Sequence, residues 1–343
     1  MKVTEVKQSI KSLWENFNKN SPNSSFLQSY SWGDFQASQS KKIIRFAVEE
    51  SKSGGFTTQT KLIAIAQTML HPLPFGRSYF YIPHGPIIAE EDKKREAMQE
   101  IINKIKELAP KEKASFLFME PTQNFDDIPF LNKSQKHIQT ETTIVLDISK
   151  SKKELLGQMK SKTRYNIKLS RRRGVEINVS KNLEDVGEFL RLAKPTSERD
   201  EFKLHPDNYY RDMMRILSGD DITELLLAKY KNKIIAAIIV IYYGDTATYL
   251  HGASDYNYRN LMATHLLQWK AIKRARKKGC KNYDFWGVAP TSDPEHKWAG
   301  FSRFKKGFAP KNKVIKYPGP YEYPINSIET QMFHLIHKVT ERR

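Results

Sequence analysis

Seven basic side chains and no acidic one lie between Lys160 and Arg173: Lys160, Lys162, Arg164, Lys168, Arg171, Arg172 and Arg173. A fully solvated helix would mix signs through i,i+4 pairs, so an unbroken run of one sign predicts contact with a polyanion. A second run, Lys270, Lys273, Arg274, Arg276, Lys277 and Lys278, closes a helical pattern. Its place also suits a helix C-terminus, where cations meet the negative end of the macrodipole. Other chemistries find no constellation. The histidines are scattered without a metal spacing such as H-E-x-x-H, and no G-x-S-x-G elbow, P-loop or Rossmann glycine fingerprint is present. A lone cysteine, Cys280, excludes an intramolecular disulfide and suits a reducing, cytoplasmic compartment.

The elements that must hold these residues follow from composition and periodicity. The chain has 343 residues, 39% of them hydrophobic, with Lys+Arg 57 against Asp+Glu 38 and a net charge of +19. That length predicts two domains. The charge predicts a polyanionic partner, whether nucleic acid, nucleotide phosphates or an anionic membrane face. Met1-Lys-Val-Thr-Glu5 lacks the apolar core of a signal peptide. The longest apolar run, Ile234–Tyr243, is ten residues, whereas a spanning helix needs about 20. Membrane contact is therefore expected to be peripheral.

Strand-like runs recur at Ile43–Val48, Leu62–Leu70, Ser78–Ile82, Ser115–Glu120 and Thr143–Ile148, and again at Leu225–Tyr230, Ile234–Tyr243, Thr246–His251 and Tyr283–Val288. Lys231-Asn-Lys233 and Gly244-Asp245 are turn signals that make the second set begin as an antiparallel meander. Helical spacing marks Glu91–Ala109 and Leu261–Lys278, Ser151-Lys-Lys-Glu154 reads as a capping box, and Ile325, Ile328, Met332, Leu335 and Val339 mark an amphipathic C-terminal helix. Two stretches look alike. Tyr81-Ile-Pro-His-Gly85, a helix and Phe116-Leu-Phe-Met-Glu-Pro121 match Tyr249-Leu-His-Gly252, a helix and Tyr283-Asp-Phe-Trp-Gly-Val-Ala-Pro290. The expectation is an α+β chain built from a duplicated unit.

That unit has the layout of a GNAT-type acyltransferase domain. Where such a domain holds a phosphate at a helix N-terminus, this chain has Arg259-Asn-Leu-Met-Ala263, one basic residue without the paired glycines that let backbone approach a pyrophosphate. An acyl-CoA-dependent N-acyltransferase is the alternative reading.

Six motifs in order resemble the Fem family of aminoacyl-tRNA-dependent transferases, which build peptidoglycan cross-bridges. They are Phe26-Leu-Gln-Ser-Tyr-Ser-Trp32, Tyr81-Ile-Pro-His-Gly-Pro86, Lys162-Thr-Arg-Tyr-Asn-Ile-Lys168 running to Arg173-Gly-Val175, Tyr249-Leu-His-Gly-Ala-Ser254, Tyr283-Asp-Phe-Trp-Gly-Val288 and Arg303-Phe-Lys-Lys-Gly-Phe308. The resemblance implies two GNAT-like domains, the first spanning 1–145 and completed by a C-terminal helix within 317–343, the second spanning 146–316. It implies transfer of an amino acid from aminoacyl-tRNA to an amine on the stem peptide of UDP-MurNAc-pentapeptide or its lipid-linked form, with no cofactor.

The same resemblance assigns roles. Lys305 would stabilise the tetrahedral oxyanion of ester aminolysis, with Phe304 beside it and Lys306 as the adjacent alternative. Lys160, Lys162, Arg164, Lys168, Arg303 and Lys306 would meet the tRNA. Trp32, Tyr209, Tyr249 and Arg259 would line the acceptor and phosphate sites. Gln36 and His205 stand where the family often has a lysine and an arginine for the acceptor's phosphates, and Lys41, Lys42, Arg199 or Lys203 are the substitutes. Where family members often carry an aspartate after the Gly85-Pro86 motif, this chain has Ala89, then Glu90 and Glu91. That departure favours a substrate-assisted route for the proton an amine must lose.

Overall fold

The computed structural model describes residues 1–6, 8–54, 57–180, 182–200 and 203–340. The chain divides into two compact units, Met1–Gln139 with Tyr317–Arg343, and Thr140–Lys316. The first begins with β1 (Lys2–Glu5), α1 (Lys11–Asn20), α2 (Tyr30–Ser38), β2 (Lys42–Gly54), β3 (Thr57–Pro72), β4 (Ser78–Pro83) and β5 (Ile87–Ile88). It continues through α3 (Lys94–Glu112), β6 (Ala114–Glu120) and β7 (Asn132–Lys133).

The second unit holds β8 (Thr142–Thr143), β9 (Val145–Asp147), α4 (Lys152–Gln158), α5 (Ser161–Arg172), β10 (Glu176–Ser180), α6 (Val186–Asp200) and α7 (Asp207–Gly219). A meander follows, β11 (Thr223–Tyr230), β12 (Lys233–Tyr243) and β13 (Thr246–Ser254). Then come α8 (Ala263–Lys277), β14 (Asn282–Asp284), α9 (Ala299–Phe308) and β15 (Ile315–Lys316). The chain returns to the first unit with β16 (Tyr321–Pro324) and α10 (Ser327–Thr340).

The expected α+β class and its repeat are both present. In the first unit β4 pairs parallel with β6 across α3, and in the second β13 pairs parallel with β14 across α8. The apolar stripe of α3, Met98, Ile101, Ile102 and Ile105, lies in the first core with Phe46, Ile82 and Leu117. Leu266, Trp269 and Ile272 of α8 lie in the second with Val240, Ala247 and Tyr283. The meander turns as its residues require: Lys231 and Asn232 take φ of 45° and 66°, the type I′ pattern that matches strand twist. The capping box is complete, with the Glu154 amide donating to Ser151 Oγ and the Ser151 amide to the Glu154 carboxylate.

Two expectations are corrected. The strand expected over Tyr283–Val288 stops at Asp284, because the Asp284 carboxylate accepts the Trp286 amide at 2.8 Å and Trp286 turns to φ 58°. The C-terminal helix does join the first unit, and Ile325 just ahead of it packs on that core, but the rest of its described apolar stripe faces outward; the Val339 side chain lies outside the described residues. Thr330 donates to the Ser115 carbonyl, Glu329 bonds Arg77 and Ser115, and Phe333 packs on Phe116, while Ile328, Met332 and Leu335 are exposed.

Candidate functional site

Among the described residues, the second unit buries one ammonium group. Lys305 is 8% exposed, on the inner face of α9. Its Nζ donates to the Gly287 carbonyl at 2.6 Å and lies 5.0 Å from the Phe301 ring centroid and 5.5 Å from that of Tyr249. Burying a charge costs several kcal/mol (order of magnitude) unless other groups compensate. Here the carbonyl, the two ring faces and the field of Asp284 do so. Burial still dominates and pulls the Lys305 ammonium down to about 7, with Asp284 opposing. Asp284 ends β14. Burial raises its carboxyl, opposed by Thr143 Oγ1, the Trp286 amide and the charge of Lys305.

Tyr249 is half-buried on β13, and burial lifts its phenol to about 12. A Cβ on Gly252 would sit 2.0 Å from the Tyr249 hydroxyl, so glycine is what lets this ring lie along its own strand. The register of α9 is fixed by small residues. Ser302 Oγ accepts the Ala289 amide, and a Cβ on Gly307 would meet Thr163 Oγ1 at 2.5 Å. Helix α5 therefore crosses close to α9, and the Lys160 amide donates to the Gly307 carbonyl at 2.9 Å.

The fold thus brings Lys305, Tyr249 and the first turn of α5 together. Lys160, Lys162, Lys168 and Arg303 are exposed, and Lys306 is half-buried. Among the described residues no carboxylate pairs with Lys160, Lys162, Lys168, Arg171, Arg172 or Arg173. Burial first, then the charges of Arg171, Lys270 and Lys152, hold the Lys273 ammonium below the usual lysine range, so both basic stretches feel one another. Three more cations of the second stretch are structural: Arg274 and Lys278 pair with Glu224, and Arg276 donates to the Ile148 carbonyl. Arg164 is also occupied, its Nη1 donating to the carbonyls of Leu156, Gly157 and Met159 at the end of α4. Phe304 turns toward His265 and Phe308 and packs on the core.

Other expected residues fall into separate groups. In the second unit His205 stacks on Tyr209 with centroids 3.9 Å apart, beside Tyr210 and a half-buried His251 whose imidazole desolvation holds down to about 3. Arg259 is exposed and lies 4.1 Å over the Tyr256 ring. In the first unit Trp32 is buried against Phe26 and Phe35 and shapes the core. Gln36 is buried there as well, and its Oε1 accepts Lys41 Nζ at 2.8 Å. Lys41 thus brings its ammonium to the Gln36 amide. Glu90 pairs with Lys61, and Glu91 with Lys94. Asp284 had no role in the sequence reading; its signal was one carboxylate inside an otherwise apolar, aromatic strand.

Two units of mixed α+β build, each with a strand–helix–strand repeat, place this chain among the GNAT-like tandem folds. The tandem GNAT protein of the clavulanic acid biosynthesis pathway superposes with a TM-score of 0.55 at 11% identity, over 94% of this chain and 98% of that one. The crystal structure of FemX superposes with a TM-score of 0.83 at 21% identity, over 97% and 99%. The FemAB family profile matches residues 11–135, 129–233 and 220–338, and the chain belongs to that family. Curated relatives include the lipid II:glycine glycyltransferases of Staphylococcus epidermidis and Staphylococcus aureus. Each is 23% identical across 95% of this chain and 93% of its own length.

Proposed function

We propose that this chain is a transferase of peptidoglycan bridge synthesis, moving an aminoacyl group from aminoacyl-tRNA to a stem-peptide amine of a cell-wall precursor. The names of its relatives favour the lipid-linked form of that acceptor over UDP-MurNAc-pentapeptide. The observation that carries the reading is the buried Lys305 ammonium on a helix that packs against α5 and its exposed cations Lys162 and Lys168.

The amine's lone pair attacks the ester carbonyl carbon, forming the C–N bond and placing negative charge on the carbonyl oxygen. Collapse breaks the bond to the tRNA ribose oxygen, which leaves as a hydroxyl carrying the proton that the attacking nitrogen gives up. An ammonium has three N–H donors. One of Lys305's is committed to Gly287, leaving the others for the oxyanion in a site of low dielectric. The exposed cations of α5 suit the phosphates near the tRNA 3′ end. Within the second unit, His205 with Tyr209 is the group we assign to the acceptor. No residue is assigned as base, since Glu90 and Glu91 are engaged in ion pairs.

The test is purified protein with charged tRNA and lipid-linked precursor, read by mass spectrometry for a precursor heavier by one amino-acid residue. Lys305→Met should lower turnover by roughly 10²–10³-fold with unchanged circular dichroism. No product with any charged tRNA, or full activity of Lys305→Met, would sink the proposal.

A further inference from the structure

Helix α10 shows the solvent the face that a surface helix normally hides. Ile328, Met332 and Leu335 repeat at i, i+4 and i+7 and are 73%, 56% and 67% exposed. Its polar and aromatic residues are turned inward instead, through the bonds of Glu329, Thr330 and His334 and the packing of Phe333. Beside this stripe stands a second apolar group. Phe75, at the tip of the turn between β3 and β4, is 89% exposed and held at φ 59°. A bulky residue at positive φ is strained by about 1–3 kcal/mol, so the fold spends stability to point an aromatic ring at solvent. The turn is tied to α10 on both flanks. Leu73 shares an apolar cluster with Phe333, and Arg77 pairs with Glu329.

Cations border the patch. Lys113 is exposed, and its carbonyl accepts the amide of Ser78, next to Arg77. Lys136 lies 5.8 Å from the Phe333 ring. An apolar helix face with Phe at its edge and basic residues around it is the pattern of a segment lying in the plane of an anionic bilayer. A second copy of this chain fits worse. A single helical stripe falls short of the roughly 800 Å² per partner of a stable interface, and two copies would oppose like charges. No helix among the described residues is long and apolar enough to cross a membrane.

The geometry points to a docking surface on the first unit, formed by Ile328, Met332 and Leu335 with Phe75, that seats the protein on an anionic lipid bilayer. The surface does not depend on the transfer reaction, and its test contains neither tRNA nor precursor. The full chain is sedimented with vesicles of phosphatidylcholine alone and of phosphatidylcholine with 30% (roughly the anionic content of such surfaces) phosphatidylglycerol. Net charge alone attracts anionic vesicles, so the variants decide. I328S/M332S/L335S should lose at least about tenfold in partitioning, and Phe75→Ser about threefold or more. All four side chains are exposed, so melting temperatures should hold. Wild-type protein left in the supernatant, or triple-variant binding equal to wild type, would overturn the surface. So would a concentration-dependent dimer, seen by sedimentation equilibrium and lost in the triple variant.

Discussion

The two repeats run strand, helix, strand, and both end on a buried carboxylate with opposite surroundings. In the first, Glu120 accepts the Tyr81 hydroxyl and the amides of Ile138 and Gln139, with His137 3.5 Å away. Burial raises its carboxyl, and these bonds hold it in place. In the second, Asp284 accepts Thr143 and the Trp286 amide, and its remaining field falls on a buried ammonium. One repeat closes its polar end with neutral donors and becomes a structural knot. The other leaves charge against charge and keeps a cation that can still act. On the proposed function, the same backbone would serve stability in one unit and chemistry in the other, depending on whether α9 brings a lysine near the strand end.

Exchanging the two carboxylates for amides should separate these roles most clearly. Asp284→Asn should cut turnover by roughly 10–100-fold with little change in melting, since it removes the field that favours charged Lys305. Glu120→Gln should leave turnover within about threefold and cost about 1–3 kcal/mol of stability, measured by denaturant unfolding. Equal losses of turnover in both variants would break the comparison.

The pH dependence sharpens it. Lys305 is held at about 7 in the folded protein and titrates at 10.5 as a free side chain. If the ammonium is the working form, turnover should fall as pH rises above 7. Asp284→Asn should move that limb to lower pH, whereas Glu120→Gln should not. For stability the sign is opposite to that of a salt-bridged lysine. Between the two values the unfolded chain holds a proton the folded one lacks, so stability rises with pH across that window. The cost of the buried charge is complete below it. Lys305→Met should therefore gain more in melting temperature over wild type at pH 6 than at pH 9, two points chosen about the lower value.

The smallest effect compares single surface cations of the two units. Lys168→Ala should weaken tRNA binding a few-fold and flatten its salt dependence by roughly 0.7–0.9 in log–log slope. Lys104→Ala, whose ammonium pairs with Glu107 on α3, should change neither.

Periodicity and turn chemistry made the repeat readable, because α3 and α8 each show a stripe and I′ turns have few competent sequences. Periodicity could not say what covers a stripe, which is why α10 turned out inverted. Lys305 was legible as part of a motif, but the field of Asp284 on it was not, since spacing along the chain carries no information about a strand end lying near a helix face. Arg164 and Arg274 looked like the other cations in their runs. Only tertiary geometry shows that one caps α4 and the other neutralises Glu224.

The return of the chain into the first unit has a consequence for synthesis. Strand β16 lies between β6 and β7 and pairs with both, and the Tyr321 hydroxyl donates to Asp126. A nascent chain that has emerged only through the second unit holds every residue of that unit's sheet, while β6 still waits for its neighbour. The unit that leaves the ribosome first is thus completed last. Until residue 324 has emerged, an apolar strand edge stays open, the kind of edge that recruits other chains. A stop codon placed after β15 would expose it permanently, so loss of these last residues should show itself as aggregation of the first unit.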